Sequence, residues 1–269
     1  MHGGACVSAG AFSPRLYFNA DEASRVWVHG DDFAALLPRS RATTFSVGLG
    51  RFLIVKVRAT LGFRAGDDHS IRILNRLIEL VPSSGAEPDT IFWESDPRHV
   101  PLLAAQFGLR PGSKPVAAPG LKAQRAVLEG PDLEPAKVPA FRSACMRAAF
   151  VAQDRPEVMF CSKEIARTMS KPTRAAWESL KHLIRFMMGQ PRLRWVFKRQ
   201  AVVGILRANT DSDYAGCFTT RRSTSGTMLF HGQHLIKARA TTQTVVALSV
   251  GESEYNSVVK GAASILGLQ

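Results

Sequence analysis

Six prolines fall between residues 111 and 139, at Pro111, Pro115, Pro119, Pro131, Pro135 and Pro139. Each fixes its own φ, lacks an N–H and pushes the residue before it out of the helical region, so neither a long helix nor a central strand can run through the stretch. The 269-residue chain is therefore expected to have a first block at 1–110 and an extended connector at 111–140. After the connector the apolar period changes again, from a helical region at 141–199 to a mixed region at 200–269.

Short strands dominate the first block. Arg15-Leu-Tyr-Phe and Arg25-Val-Trp-Val-His are aromatic and β-branched, and the second runs through Gly30-Asp31-Asp32 into Phe33-Ala-Ala-Leu-Leu, a hairpin with an acidic tip. Phe52-Leu-Ile-Val-Lys-Val predicts a further strand. Gly66-Asp67-Asp68 offers an N-cap, and Ile71, Leu74, Leu77 and Ile78 recur behind it at a spacing that predicts a helix. Ile91-Phe-Trp predicts a short strand, and Asp96-Pro97 the start of a helix that closes at Gly108.

Beyond the connector, helices are predicted at Phe141–Ala152, Arg155–Met169 and Pro172–Met188, the last with Trp177, Leu180, Ile184 and Met187 on one stripe. Val202–Asp211 predicts a strand. Gly226–Phe230 and His234–Lys237 flank a tight turn at His231-Gly-Gln, and Glu252–Leu268 predicts a helix. The fold class is α+β.

Composition narrows the partners. The formal charge of +13 points to nucleic acid or an anionic surface. No run approaches the roughly 18 apolar residues of a spanning helix, so no membrane partner is expected. Met1 to Phe12 lacks a basic segment before its apolar part, so no secretory signal is expected. Cys6, Cys145, Cys161 and Cys217 form no CxxC or Cys/His set, which favours reduced thiols in an intracellular protein, cytoplasmic or nuclear and not secreted. Between Lys171 and Arg199 stand Lys171, Arg174, Lys181, Arg185, Arg192, Arg194, Lys198 and Arg199 against the single acid Glu178, with Trp177 and Trp195 interleaved. That stretch reads either as a surface tracking a phosphate backbone or as a solvated helix face.

Two acidic positions suggest chemistry. Adjacent carboxylates at Asp31-Asp32 repel and call for a counter-charge, which Mg²⁺ can supply, unless they form a plain Asp-rich turn. Asp211 ends a hydrophobic strand and Glu254 lies at the start of a later helix, so the two can converge on a metal pair, while Asp213 reads as a turn residue and Glu252 as a first-turn helix acid.

Trp27-Val-His-Gly-Asp-Asp-Phe resembles the Tyr-x-Asp-Asp hairpin of reverse transcriptases, with His29 in place of the tyrosine. Trp93-Glu-Ser-Asp-Pro-Arg-His, Lys114-Pro-Val-Ala-Ala-Pro-Gly, Phe141-Arg-Ser, Arg155-Pro-Glu and Ser170-Lys-Pro-Thr-Arg-Ala-Ala-Trp follow in the order of copia-type retrotransposon Pol polyproteins. Asp211-Ser-Asp-Tyr-Ala-Gly, Arg221-Arg-Ser-Thr-Ser-Gly and Gln243-Thr-Val-Val-Ala-Leu-Ser are similar to the ribonuclease H domain of the same elements, with Tyr214 where tryptophan is usual. The resemblance covers nearly all of residues 13–269.

It implies a C-terminal part of a reverse-transcriptase palm with its following subdomain over 1–110 and a helical thumb- or connection-like region over 141–199. An incomplete ribonuclease H-like mixed sheet with a helix would follow over 200–269. By that resemblance Asp31, Asp32, Asp211 and Glu254 are catalytic Mg²⁺ ligands for two-metal phosphoryl transfer on RNA–DNA hybrids. The basic stretch together with Arg221 and Arg222 binds RNA, DNA or the hybrid. Each site of the family has a further aspartate, one upstream of the hairpin and one on a strand after the Glu254 helix. Only Asp21 precedes the hairpin, and the chain stops at Gln269. The expectation is a fragment that is inactive and marginally stable alone, with other Pol fragments as possible partners. The alternatives are a catalytically dead remnant that only binds nucleic acid, or a non-functional pseudogene product.

Overall fold

The computed structural model describes residues 8–10, 13–21, 23–85, 88–120, 130–201 and 203–268, with side chains from 15 onward. Among them the fold is mixed α+β, with three small antiparallel sheets and six α-helices, in two compact units, Met1–Thr60 and Leu61–Gln269. Most of the Met1–Phe12 leader reading and the Val202 start of a predicted strand lie outside the described residues.

In the first unit β1 (Ser8–Gly10), β2 (Ser13–Asn19), β3 (Ser24–His29) and β4 (Asp32–Leu36) form an antiparallel meander in chain order, followed by α1 (Arg39–Gly50). The acidic hairpin is present: His29 pairs with Asp32 across a Gly30-Asp31 loop, and Gly30 takes φ +61° at the first loop position, as primed turns demand. The strand expected at 52–57 is not formed, and Phe52 and Ile54 are exposed in irregular chain. A strand needs a neighbour, and among the described residues no strand pairs with this run. No described hydrophobic side chain of this unit is buried.

The second unit opens with β5 (Ser70–Ile73), β6 (Arg76–Val81) and β7 (Thr90–Ser95), to which β8 (Trp195–Lys198) adds from far along the chain, in the order β5-β6-β7-β8. The helix expected behind Gly66 is therefore a hairpin. Leu74 and Asn75 both take positive φ, 47° and 57°, and Ile73 pairs with Arg76 around them. The apolar residues satisfied a helical spacing, but they meet cross-strand partners instead, with Ile71 opposite Ile78, Ile78 opposite Trp93, and Trp93 opposite Trp195.

The helical core belongs to the same unit. α2 (His99–Gln106), α3 (Val138–Ala152), α4 (Pro156–Ala166) and α5 (Arg174–Gly189) bury Leu103, Phe141, Ala148, Val158, Ile165, Leu180, Ile184 and Met187. The Asp96 carboxylate accepts from the Arg98 N–H at 2.9 Å in the turn that leads into α2, and Gly108 closes the helix at φ +65°. The end of the proline stretch is itself ordered: Pro135 begins a 3₁₀ turn, Pro139 sits in the first turn of α3, and Leu133 donates to the Pro172 carbonyl at 2.8 Å. Residues 121–129 of the expected connector lie outside the described residues. Thr173 caps α5 by accepting from the Ala176 N–H at 3.1 Å.

The last block is β9 (Leu206–Asp213), β10 (Thr224–His231) and β11 (His234–Thr242) in the order β11-β10-β9, with α6 (Val250–Leu266) laid on β9 and β10. Gly232 at φ +59° makes the tight turn between β10 and β11. Lys163 of α4 donates to Thr224 Oγ1 at 2.9 Å and Thr242 Oγ1 at 3.1 Å, which ties this sheet to the helices.

Candidate functional site

Small residues hold α6 against β9. A Cβ on Gly261 would lie 2.5 Å from Thr210 Cγ2 and 3.4 Å from Ala208 Cβ, so only glycine permits this approach. One turn after another the helix is then fixed by buried hydroxyls. Ser257 Oγ donates to the Asp211 carbonyl at 3.1 Å and lies 2.8 Å from Ser225 Oγ, and Ser253 Oγ reaches Ser212 Oγ at 2.8 Å. Gln243 Nε2 donates to Ser225 Oγ at 3.1 Å and to the Ser253 carbonyl at 2.9 Å. Each of these hydroxyls has a polar partner, which a buried cluster of them requires.

This register delivers Glu254 to the strand. Its Oε1 accepts from the Ser212 N–H at 3.2 Å, beside the backbone of the residue that follows Asp211. Asp211 pairs with Gly226 and lies on the exposed register of β9 with Arg207 and Asn209, whereas Ala208 and Thr210 meet α6. Asp211 is thus open to solvent, while Glu254, on α6, is anchored to the strand backbone through one oxygen. Among the described residues no group of three His, Cys, Asp or Glu side chains gathers to hold a metal.

The neighbouring acids are structural. Asp213 accepts a short hydrogen bond from the Thr224 N–H. Ser249 caps α6 by accepting from the Glu252 N–H at 3.1 Å, and Glu252 reaches back to the Leu248 N–H at 2.7 Å. Tyr214 donates to the Leu248 carbonyl at 3.2 Å, so the aromatic residue after Asp213 braces the start of the helix.

In the hairpin of the first unit Asp31 is exposed at the loop tip, and Asp32 has Arg58 as counter-charge at 3.6 Å. An exposed arginine thus supplies one positive charge beside the two carboxylates.

The basic residues divide by what they touch. Arg192 forms a short, two-nitrogen contact with the buried Glu94, and Arg194 lies 3.3 Å from Glu79 and over the Phe92 ring. Arg185 donates to the Lys114 carbonyl at 2.9 Å. Lys171 and Arg174 meet Asp132 at 3.5 Å and Glu134 at 3.2 Å as exposed pairs. Lys181 is half-buried on α5, Lys198 and Arg199 are exposed at and after the end of β8, and Arg221, at φ +55°, and Arg222 are exposed in the β9–β10 loop. The stretch is therefore not one continuous basic face. Sequence reasoning passed over Ser212 of β9 and over Ser253, Ser257 and Gly261 of α6, whose only signal was the run of small residues on that helix.

Cys217, in the same loop, lies 3.4 Å from both terminal nitrogens of Arg167. Burial pushes its thiol up, but hydrogen bonds from Thr220 and Arg167 outweigh this and bring it to about 7, while burial pushes Cys145 to about 12 and Cys161 to about 11. All three are free thiols. No described helix is long and apolar enough to cross a membrane.

No family profile matches the chain, and no solved structure matches it. The uncharacterized mitochondrial protein AtMg00810 of Arabidopsis thaliana is 30% identical over 125 residues, 46% of this chain and 52% of that protein. The retrovirus-related Pol polyprotein from transposon RE2 of the same plant is 27% identical over 153 residues, 57% of this chain and 10% of the polyprotein. That from transposon TNT 1-94 of Nicotiana tabacum is 24% identical over 183 residues, 66% of this chain and 14% of the polyprotein. The chain thus spans about half of the first relative and a small part of the polyproteins. The chain is similar to a segment of these retrovirus-related Pol polyproteins from transposons.

Proposed function

We propose that residues 206–268 are the opening elements of a ribonuclease H-like fold that acts on RNA–DNA hybrids, with Asp211 and Glu254 as its Mg²⁺ ligands, and that the Asp31-Asp32 hairpin is the tip of a reverse-transcriptase palm. The observation that carries the reading is the docking of α6 across an antiparallel three-stranded sheet, which sets Glu254 on the β9 backbone next to Asp211. The Pol relatives support it, since the polyproteins they belong to are retrovirus-related. In this reading Asp211 holds its carboxylate toward solvent, where a phosphodiester can approach, and the hydroxyl network keeps Glu254 from rotating away. A bound Mg²⁺ would neutralise charge on the phosphate and activate water.

The test is Mg²⁺-dependent cleavage of the labelled RNA strand of a hybrid by the full chain. Asp211→Asn and Glu254→Gln should each reduce cleavage at least 100-fold, on the order expected when one member of a metal site is lost. Undiminished cleavage in Asp211→Asn would sink the assignment. One observation favours a second reading, of a chain that holds a hybrid without cutting it: no third ligand joins Asp211 and Glu254 among the described residues. That reading expects hybrid binding with no Mg²⁺-dependent product.

A further inference from the structure

The face of the β5–β8 sheet that carries Trp93 and Trp195 is built around one buried acid. Asp154, whose side chain is 7% exposed, lies in the turn between α3 and α4. Its carboxylate accepts from Arg76 Nε at 2.9 Å and from Trp93 Nε1 at 3.1 Å, and its carbonyl accepts from Trp195 Nε1 at 2.7 Å. Arg76 also reaches Gln153 Oε1 at 2.9 Å. Both indole N–H groups are therefore engaged from behind, on cross-strand partners, and the two rings are held in fixed positions.

A cleft of about 540 Å³ opens beside them. Trp93, Trp195 and Phe197 line one side, and Ile236, Lys237 and Arg239 of β11 line the other. The β10–β11 register shifts at this point, with Leu229 opposite Lys237 and Phe230 opposite Leu235. The bulge turns consecutive side chains of β11 into the same space. Lys237 and Arg239 have no ion-pair partner among the described residues, in contrast to Arg76, Arg192 and Arg194. Burial and the neighbouring Arg239 charge hold the Lys237 ammonium below its ordinary pKa. Two unpaired cations opposite a rigid aromatic floor define a ligand that is flat, apolar on its faces and anionic at its edge.

We propose that this cleft binds a single-stranded nucleic-acid segment, with a nucleobase against the Trp195–Phe197 side and its phosphates on Lys237 and Arg239. Aromatic platforms with flanking cations bind single strands of any sequence by stacking and charge. The inference deepens the nucleic-acid reading above but rests on different residues, so it can fail separately. The site lies apart from Asp211 and Glu254, and it would hold a strand flanking a hybrid rather than the hybrid itself.

The test uses the full chain and a fluorescently labelled 12-nucleotide oligothymidylate, followed by anisotropy across a salt series. Lys237→Gln/Arg239→Gln should weaken binding about tenfold and lower the salt slope by about 2, one for each phosphate that no longer meets a cation. Phe197→Leu should weaken it about fivefold or more while leaving the salt slope unchanged. An abasic 12-mer should bind more weakly than the oligothymidylate to the unaltered chain, and equally to Phe197→Leu. Far-UV circular dichroism confirms that each variant is folded, and Arg239→Gln alone serves where the double variant is not. Wild-type affinity in the cation variants overturns the proposal, as does equal binding of the abasic strand or of an oligoglutamate of matched charge. Asp211→Asn should leave the oligothymidylate titration unchanged. Loss of hybrid cleavage with intact strand binding therefore bears on the catalytic reading alone.

Discussion

Cys217 and Leu74 show how single residues in this chain hold unusual states. The Cys217 thiol sits between the Arg167 guanidinium and Thr220 and titrates near 7, so at neutral pH a large share is thiolate. Alkylation by iodoacetamide in a Cys6→Ser background should mark Cys217 well before Cys145 and Cys161, and its rate should rise through pH 7 and level off above 8. Mass-spectrometric mapping of the labelled peptides checks this, and Arg167→Gln should move the rise to higher pH. Because the folded thiol is more acidic than the unfolded one, Cys217 contributes stability that grows between pH 7 and 9 and is lost as pH falls through 7. Leu74 has the opposite standing. A leucine at φ 47° is strained, and asparagine tolerates that region better. Leu74→Asn should raise stability by about 0.5–1 kcal/mol, read from the midpoint of urea unfolding.

At the scale of elements, the fit of α6 on β9 depends on the missing side chain at Gly261. Gly261→Ala adds helix propensity worth about 1 kcal/mol but forces Thr210 to move, a cost of about 1–3 kcal/mol, so the net effect should be a loss. Thr210→Ser in the same background should recover part of that loss, and a double-mutant cycle in urea measures the coupling. The helices of the second unit were legible in the sequence because their signals are local, whereas α1 was not predicted. Gly108 after Phe107 and the apolar stripe on α5 each carry their own physical reason. The hairpin at Ile71–Ile78 was not, because its four apolar residues fit a helical period as well as a paired one, and the choice is made by Trp93 and Trp195 from distant sequence. β8 was hidden for the same reason, its Trp195-Val-Phe-Lys lying within a stretch whose charge was the stronger signal. Asp211 and Glu254 could be named from motif resemblance, but the serines that hold Glu254 in place have no signature outside the fold.

Across the whole molecule the two units differ in what supports them. The second contains the helical core, whereas the first has a four-stranded sheet and one helix with no described hydrophobic side chain buried. Residues 61–269 expressed alone should unfold cooperatively, and residues 1–60 alone should show no cooperative transition by circular dichroism on heating. Charge does not follow that division in a simple way. Glu79 and Glu94 neutralise Arg192 and Arg194, so the +13 surplus acts through scattered cations rather than one basic face. The Asp154 junction has a kinetic meaning as well. It gathers side chains from β6, β7 and β8, and β8 follows β7 by about a hundred residues that include the whole helical core. Closing so long a loop costs entropy that only a formed helical core can reduce. The last strand of the sheet should therefore zip up late in folding, and premature release of that strand should be the step that exposes the tryptophan floor to solvent.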